Sequence, residues 1–320
     1  MIGLQRTQRL KRFWLIFVLV GALIVCNSIT SPSQAKTLPP QPSTVIVAVG
    51  DIACDPQSPY FNEGKGKNDN CQMRATADLV PKIKPKAVLV LGDNQYEKGE
   101  LENYRKSYDP TWGKFKSITK PVPGNHEYAT DQAAGYFDYF GKLAGDRTKG
   151  YYSFNLGNWH LIALNSNCEF VGGCNAGSPQ EKWLKADLKA NSKACTLAFW
   201  HHPRFSSGLH GNNKALDIFW RDLYAARAEL VLSGHDHDYE RFAPQGLNDT
   251  VDLKQGIRQF VIGSGGKNLY PFKTVRANSE VRNNDTYGIL KLTLQPQGYT
   301  WDYKPIPGSD FTDQGKATCH

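Results

Sequence analysis

The sequence predicts an α/β fold that begins at Thr44 and occupies the rest of the 320-residue chain. Three observations predict it. Short apolar, β-branched runs alternate with polar helical stretches, the rhythm of strands joined by crossovers. Five of those runs end in side chains able to bind a metal ion. Charged residues make up 21% and hydrophobic ones 40% of the chain, a globular balance that excludes both a disordered chain and a multi-span membrane protein.

The N-terminus stands apart. Arg6, Arg9, Lys11 and Arg12 precede an apolar run from Phe13 to Cys26, and a small-residue stretch ends in Ser33-Gln34-Ala35. Residues 1–35 therefore read as a secretory signal peptide, which predicts a periplasmic or secreted protein. The apolar run is short for a membrane span, and an uncleaved anchor is the alternative. Residues 36–43, Lys-Thr-Leu-Pro-Pro-Gln-Pro-Ser, read as an extended linker, and 44–320 as one domain.

The formal charge is +8, and residues 1–35 carry four positive charges and no negative ones, which leaves +4 on the remainder. That mild excess, without a basic cluster interleaved with aromatics, gives no reason to expect a nucleic-acid partner. No membrane contact is expected beyond the signal segment.

Seven cysteines are present, and six remain once Cys26 leaves with the signal. An even number in an exported chain suggests three disulfides. Cys168–Cys174 is the local pair, Cys54–Cys71 the next, and Cys195–Cys319 follows by elimination; free buried thiols are the alternative. No Cys-x-x-Cys occurs, which disfavours a thiolate zinc site.

The strands expected in order are 44–49, 87–91, 118–122, 151–156, 159–165, 196–200, 229–232, 258–262, 286–293 and 298–304, on apolar runs bounded by turn residues. The expected helices are 72–80, 100–107, 131–140, 179–190 and 213–226. Gly263-Ser264-Gly265-Gly266 lacks the Gly-Lys-Ser/Thr ending of a phosphate loop and reads as a tight turn.

Five strand exits carry the chemistry. They are Gly50-Asp51, Gly92-Asp93, Gly124-Asn125-His126, His201-His202 and Gly234-His235-Asp236-His237. Ligands in α/β sheets sit beyond the carboxyl ends of strands, and glycine before the polar residue permits a tight exit turn. A lone Gly-Asp is an ordinary turn signal, but two with matching apolar lead-ins are more. Carboxylate, carboxamide and imidazole together suit a divalent or trivalent ion. His235 and His237, two apart on an extended backbone, point the same way, with Asp236 turned aside.

These blocks, with Gly92-Asp93-Asn94-Gln95-Tyr96, Gly124-Asn125-His126-Glu127 and His201-His202-Pro203, resemble in order the five blocks of the calcineurin-like metallophosphoesterase superfamily. Asp-x-x-Tyr at 93–96 and Gly-His-x-His-x-Tyr-Glu-Arg at 234–241 are similar to its purple acid phosphatase branch. The resemblance covers almost all of residues 44–240. It implies two packed β-sheets flanked by helices, an αββα sandwich between the α/β and α+β classes, as one catalytic domain over 44–320. It also implies two metal ions, the first held by Asp51, Asp93, Tyr96 and His237, the second by Asp93, Asn125, His201 and His235. Many superfamily members carry histidine two residues after the first aspartate, where this chain has Ala53; Tyr96 can stand in for it.

A phenol titrates near ~10 in water, so Tyr96 binds as phenolate only to a strongly acidic cation. Fe(III) at the Tyr96 site with Fe, Zn or Mn as divalent partner fits that demand, and a Tyr96 packed beside two divalent ions is the alternative. The function implied is hydrolysis of small-molecule phosphate monoesters by metal-bound hydroxide. Alternatives are a phosphodiesterase or nucleotidase on the same site, or a secreted non-catalytic metal-binding protein. His126, beside Asn125, is expected over the phosphate. His210 is expected as the acid for the leaving group, with His202 as its rival. Tyr239, Glu240 and Arg241 are expected to support the site rather than react.

Overall fold

The computed structural model describes residues 42–191 and 193–320. The expected signal peptide and most of the expected linker lie outside the described residues. No helix among the described residues is long and apolar enough to cross a membrane.

Among the described residues thirteen strands form two mixed sheets. They are β1 (Thr44–Val49), β2 (Ala87–Leu91), β3 (Thr119–Val122), β4 (Tyr152–Leu156), β5 (Trp159–Ala163), β6 (Cys195–Phe199), β7 (Leu230–Ser233), β8 (Tyr239–Phe242), β9 (Arg258–Ile262), β10 (Ser279–Asn283), β11 (Gly288–Gln295), β12 (Gly298–Pro305) and β13 (Gln314–Thr318). The six-stranded sheet runs β13-β12-β11-β1-β2-β3 and the seven-stranded sheet β10-β8-β9-β7-β6-β5-β4. Each has a parallel run: β1-β2-β3 forms one side of the first, ending at its edge, and β5-β6-β7-β9 the middle of the second.

Alternation along the strands sets the layering. Ile46, Ala48, Leu89 and Leu91 face the second sheet and pack with Leu161, Leu197, Phe199, Leu232 and Phe260. Val47, Val49, Val88 and Val90 face the other way, against Met73, Tyr104, Tyr108, Trp112 and Phe140. On the far side Ile162, Ala198, Val231 and Val261 pack with Leu184, Phe219 and Leu223. Both faces of the central strands are thus buried, which is why they read as unbroken apolar runs. The result is the helix–sheet–sheet–helix sandwich the sequence implies.

The helices are α1 (Met73–Ala77), α2 (Val80–Ile83), α3 (Leu101–Asn103), α4 (Ala134–Phe140), α5 (Pro179–Ala190) and α6 (Asp217–Ala225). The helix expected over 72–80 is broken into α1 and α2. Pro81 near the start of α2 has no N–H to continue the ladder from α1. The one expected over 100–107 is a single α turn that widens into a π turn, Tyr104–Tyr108. α4 starts later than the expected 131, because Gln132 and Ala133 adopt φ of 48° and 53°. α5 keeps its expected bounds, with the Ser178 hydroxyl accepting from Glu181 N and Pro179 in the first turn. α6 occupies the core of the expected 213–226, behind a 3₁₀ turn at Lys214–Leu216. Strands β8, β10 and β13 were not expected: β10 and β13 are edge strands of alternating polar residues, and β8 carries Glu240 and Arg241 in four residues.

All three expected disulfides form: Cys54–Cys71, Cys168–Cys174 and Cys195–Cys319. The last ties the start of β6 to the penultimate residue across a separation of 124. Long loops lose the most chain entropy when closed. Replacing Cys195 and Cys319 together by Ser should lower stability by about 2–4 kcal/mol, read as a lowered urea midpoint with a steeper slope, because the unfolded chain is no longer held compact.

Candidate metal centre

The carboxyl ends of β1, β2, β3, β6 and β7 converge, and the five blocks meet there. The approach is so close that side chains are excluded at two glycines. A Cβ on Gly124 would lie 2.1 Å from Asp93 Oδ1, and one on Gly234 2.5 Å from Asp51 Oδ2. Neither glycine adopts a positive φ; the turn is taken instead by Asp51, Asp93 and His235 themselves, at φ of 58°, 46° and 73°. The exit-turn role expected for glycine holds at Gly92, whose φ is 86°.

Two groups of side chains share one carboxylate. In the first, Tyr96 Oη stands 2.9 Å from Asp51 Oδ1, 3.1 Å from Asp93 Oδ2 and 2.9 Å from His237 Nε2. In the second, His201 Nε2 stands 3.3 Å from Asp93 Oδ2, 3.1 Å from Asn125 Oδ1 and 3.2 Å from His235 Nδ1. Asp93 Oδ2 touches both groups. Thus all seven side chains expected as ligands from the resemblance meet in one cluster, and Asp51, Asp93, Tyr96, His201 and His237 are buried.

The histidines are oriented from behind. His201 Nδ1–H donates to Leu91 O at 2.9 Å, and His237 Nδ1–H donates to Asn268 O at 2.6 Å, which turns each Nε2 lone pair inward. The cluster is then short of protons. One Tyr96 hydroxyl proton faces two carboxylates and an imidazole lone pair, and His201 Nε2 faces a carboxylate, a carboxamide oxygen and a second imidazole. So many converging acceptors are satisfied by cations, and oxygen with imidazole nitrogen is a donor set for first-row metals. The residues fit a two-metal site.

The charges carry the same mark. Burial pushes the Asp93 carboxyl up, but His201 beside it prevails and holds it well below the carboxylate range. Burial works to lower the His201 imidazole, yet Asp93 raises it to about 9, so positive charge is drawn to this point. Burial, Asp51 and Asp93 push the Tyr96 phenol well above its ordinary value.

The three histidines expected to act on substrate differ. His126 Nδ1–H donates to Glu97 O at 2.5 Å, its Nε2 lies 3.8 Å from Asp93 Oδ2, and its ring leans on Tyr96. His210 Nδ1–H donates to Asp236 Oδ1 at 2.9 Å, and its ring lies 4.1 Å from that of His235. That bond to Asp236 raises the His210 imidazole. His202 accepts at Nδ1 from the Ser166 hydroxyl at 2.8 Å; burial and His201 lower its imidazole to about 3, so it is neutral. A neutral imidazole donates a hydrogen bond but is a poor acid.

Four contributors escaped the sequence reading. Glu127 ties the second and third exits together: its Oε1 accepts from Asn94 N, Gln95 N and Tyr104 Oη, and its Oε2 accepts from Gly124 N at 2.6 Å. Asp236 holds His210 and accepts from Ser206 Oγ at 2.5 Å. Tyr270 stacks on His237, with ring centroids 4.0 Å apart, and Lys267 Nζ lies 4.7 Å over the Tyr96 ring. Only Glu127 had a sequence signal, its place after Asn125-His126. The Gly263–Gly266 turn brings Lys267 and Tyr270 in by packing its backbone against Gly50 and Asp236. Of the expected supporters, Glu240 accepts from Ser207 N and Oγ on the His210 loop, while Tyr239 and Arg241 both donate to Asp313.

With this geometry in hand, the comparisons with known proteins agree. The family model for calcineurin-like phosphoesterases matches residues 44–239. The chain therefore belongs to that family. Its relatives include purple acid phosphatases: the protein named probable purple acid phosphatase 20 of Arabidopsis thaliana is 30% identical over 194 residues, 52% of this chain and 44% of that one. The one named probable inactive purple acid phosphatase 9, also from Arabidopsis thaliana, is 24% identical over 324 residues, 81% of this chain and 48% of that one. The structure of a purple acid phosphatase from yellow lupin (Lupinus luteus) seeds superposes with a TM-score of 0.68 at 16% identity, over 87% of this chain and 54% of that chain. The chain spans about half the length of these relatives. The family implies a dinuclear metal centre and supports a hydrolase.

Burial and the charge of Asp93 raise the Glu127 carboxyl from its ordinary 4.5 to about 7. An acid raised on folding stays protonated in the folded state where the unfolded chain has already ionised, so stability falls with rising pH between those values. In the metal-free protein Glu127 should therefore contribute a loss of stability as pH rises from about 4.5 to 7, opposed below about 6.5 by His202, whose lowered imidazole adds stability with rising pH. Glu127→Gln should be less stable throughout but lack that one contribution, read as the difference between wild-type and variant thermal melts across the window.

Proposed function

We propose that this chain is an exported dinuclear-metal phosphoesterase that hydrolyses small-molecule phosphate monoesters. The observation that carries the reading is Asp93 Oδ2, within 3.1 Å of Tyr96 Oη and 3.3 Å of His201 Nε2, one carboxylate serving two donor groups. Asp51, Asp93, Tyr96 and His237 would hold the first ion, and Asp93, Asn125, His201 and His235 the second. Asp51, Asp93 and an ionised Tyr96 concentrate negative charge on the first group, which favours Fe(III) there, with Fe, Zn or Mn as the divalent partner. Export is supported by the N-terminal layout of the sequence and by the three disulfides.

Such an ion pair supplies activated water and charge to offset that of the phosphate oxygens. The protein supplies placement and protons. Neutral His202 can offer its Nε2–H to a phosphate oxygen, and His126 can do so from Nε2 when doubly protonated, while their Nδ1 atoms are engaged by Ser166 Oγ and Glu97 O. His210, anchored through Nδ1 on Asp236, keeps Nε2 to protonate the departing alkoxide. Asp236, itself fixed by Ser206 Oγ, favours the charged imidazole that must give up that proton.

A phosphodiesterase on the same site and a non-catalytic metal-binding protein are the competing readings, whereas a nucleotidase would be a narrower form of the monoesterase; one relative bears the name of an inactive enzyme. Metal-loaded protein should turn over p-nitrophenyl phosphate at least tenfold faster than its bis ester, and no turnover of either would leave the non-catalytic reading. Native protein should show a visible phenolate-to-iron band that Tyr96→Phe abolishes; a colourless dizinc or dimanganese protein would contradict the ferric assignment. His210→Ala should lose about 10²–10³-fold in kcat on alkyl esters and less on p-nitrophenyl phosphate, whose leaving group needs no proton.

A further inference from the structure

One cavity opens directly off the candidate centre. It measures about 490 Å³, and Asn125 and His202 form part of its wall. That volume lies within the range of small-molecule sites. Its wall also carries an aromatic platform: the rings of Tyr128 and Phe170 stack with centroids 4.2 Å apart and planes 15° from parallel. Phe170 is nevertheless 37% exposed, so part of its ring is open to solvent.

The platform is braced rather than loose. Phe170 sits on a short turn, Cys168–Phe170, which the Cys168–Cys174 disulfide pins and which Phe170 N closes by donating to Asn167 O. Tyr128 Oη accepts from Asn165 Nδ2 at 2.7 Å, so its ring cannot swing away. Asn167 in turn donates from Nδ2 to Pro123 O, beside the Gly124-Asn125 exit, and locks the turn to the third metal-ligand block. A rigid exposed ring presents stacking surface without an ordering cost on binding.

The cavity's charge is also informative. Glu169 is on its wall, and no lysine or arginine is among the described residues lining it. A second phosphoryl group on the substrate would meet a carboxylate there and no cation. Asn213 and Asn167 offer neutral polar groups to hydroxyls or ring nitrogens.

Resting on the phosphomonoesterase reading, we propose that this cavity takes the leaving alcohol and that Phe170, backed by Tyr128, selects monoesters whose alcohol carries a planar aromatic ring of nucleoside size with no further phosphoryl group. A nucleoside 5′-monophosphate meets that description. The ester's phosphate sits at the metal-binding cluster, the sugar spans the mouth between Asn125 and His202, and the base lies on the open face of Phe170.

Adenosine 5′-monophosphate and ribose 5-phosphate separate the claim from the chemistry, since both release a primary alcohol of the same sugar and differ only in the ring. With the metal-loaded protein, kcat/KM for adenosine monophosphate should exceed that for ribose 5-phosphate by about tenfold or more, as expected for one base stacked on one aromatic side chain. Phe170→Leu should collapse that ratio toward one, chiefly through KM, whereas Phe170→Trp should retain it. Adenosine diphosphate should be the poorer nucleotide substrate, and Glu169→Gln should narrow its deficit at low salt. Equal kcat/KM for the two monophosphates, or a ratio that Phe170→Leu leaves intact, would overturn the assignment while the phosphatase reading stood. Failure to hydrolyse either monophosphate or p-nitrophenyl phosphate would instead overturn the phosphatase reading, and the assignment with it.

Discussion

The carboxylate of Asp93 constrains the rest of the structure. Its Oδ2 is shared by the Tyr96 group and the His201 group, and its Oδ1 accepts from the His126 backbone at 3.0 Å. One side chain can serve both groups only if strands from two different sheets end within a few ångströms of it. The architecture follows from that demand. β1, β2 and β3 bring Asp51, Asp93 and Asn125 from one sheet, while β6 and β7 bring His201, His235 and His237 from the other. The inner faces of the two sheets pack with a close-set core of Leu89, Leu91, Leu197, Phe199 and Leu232, which keeps the strand ends at fixed separation.

Such proximity is held against strain. Asp51, Asp93 and His235 occupy the left-handed region, which costs a residue with a side chain about 1–3 kcal/mol. Gly124 and Gly234 give way at the points of closest approach. Glu127 offsets part of the cost by accepting from three backbone amides of the second and third exits and from Tyr104. A buried carboxylate facing four donors is a rigid clamp. That clamp, more than the loops it holds, explains how a glycine-rich rim can be ordered.

Much of this was legible in the sequence, for a physical reason. Strands buried on both faces must be apolar throughout, so β1, β2, β6, β7 and β9 announced themselves, and the polar residues at their ends stood out against that background. The donors had to lie at strand ends because the centre is built from strand ends. What the sequence could not show was anything set by packing between distant segments. Lys267 and Tyr270 reach the centre because Gly263 and Gly265 fit against Asp236 and Gly50, a contact no local pattern encodes. Asp236, read as turned aside, proved to be the anchor of His210. Edge strands β10 and β13 have one partner each and are mostly polar, β10 with Val281 as its one apolar residue and β13 alternating polar with small residues, so they carry no run to detect. The break between α1 and α2 had a signal in Pro81 that the helical reading overrode.

Anomalous X-ray diffraction from crystals of the native, metal-replete protein tests the shared carboxylate most directly. A carboxylate shared by two ions predicts two metal peaks roughly 3.5–4 Å apart, both within bonding distance of Asp93 and with Tyr96 on one of them only. A lone peak, or two peaks of which Asp93 reaches just one, would contradict it.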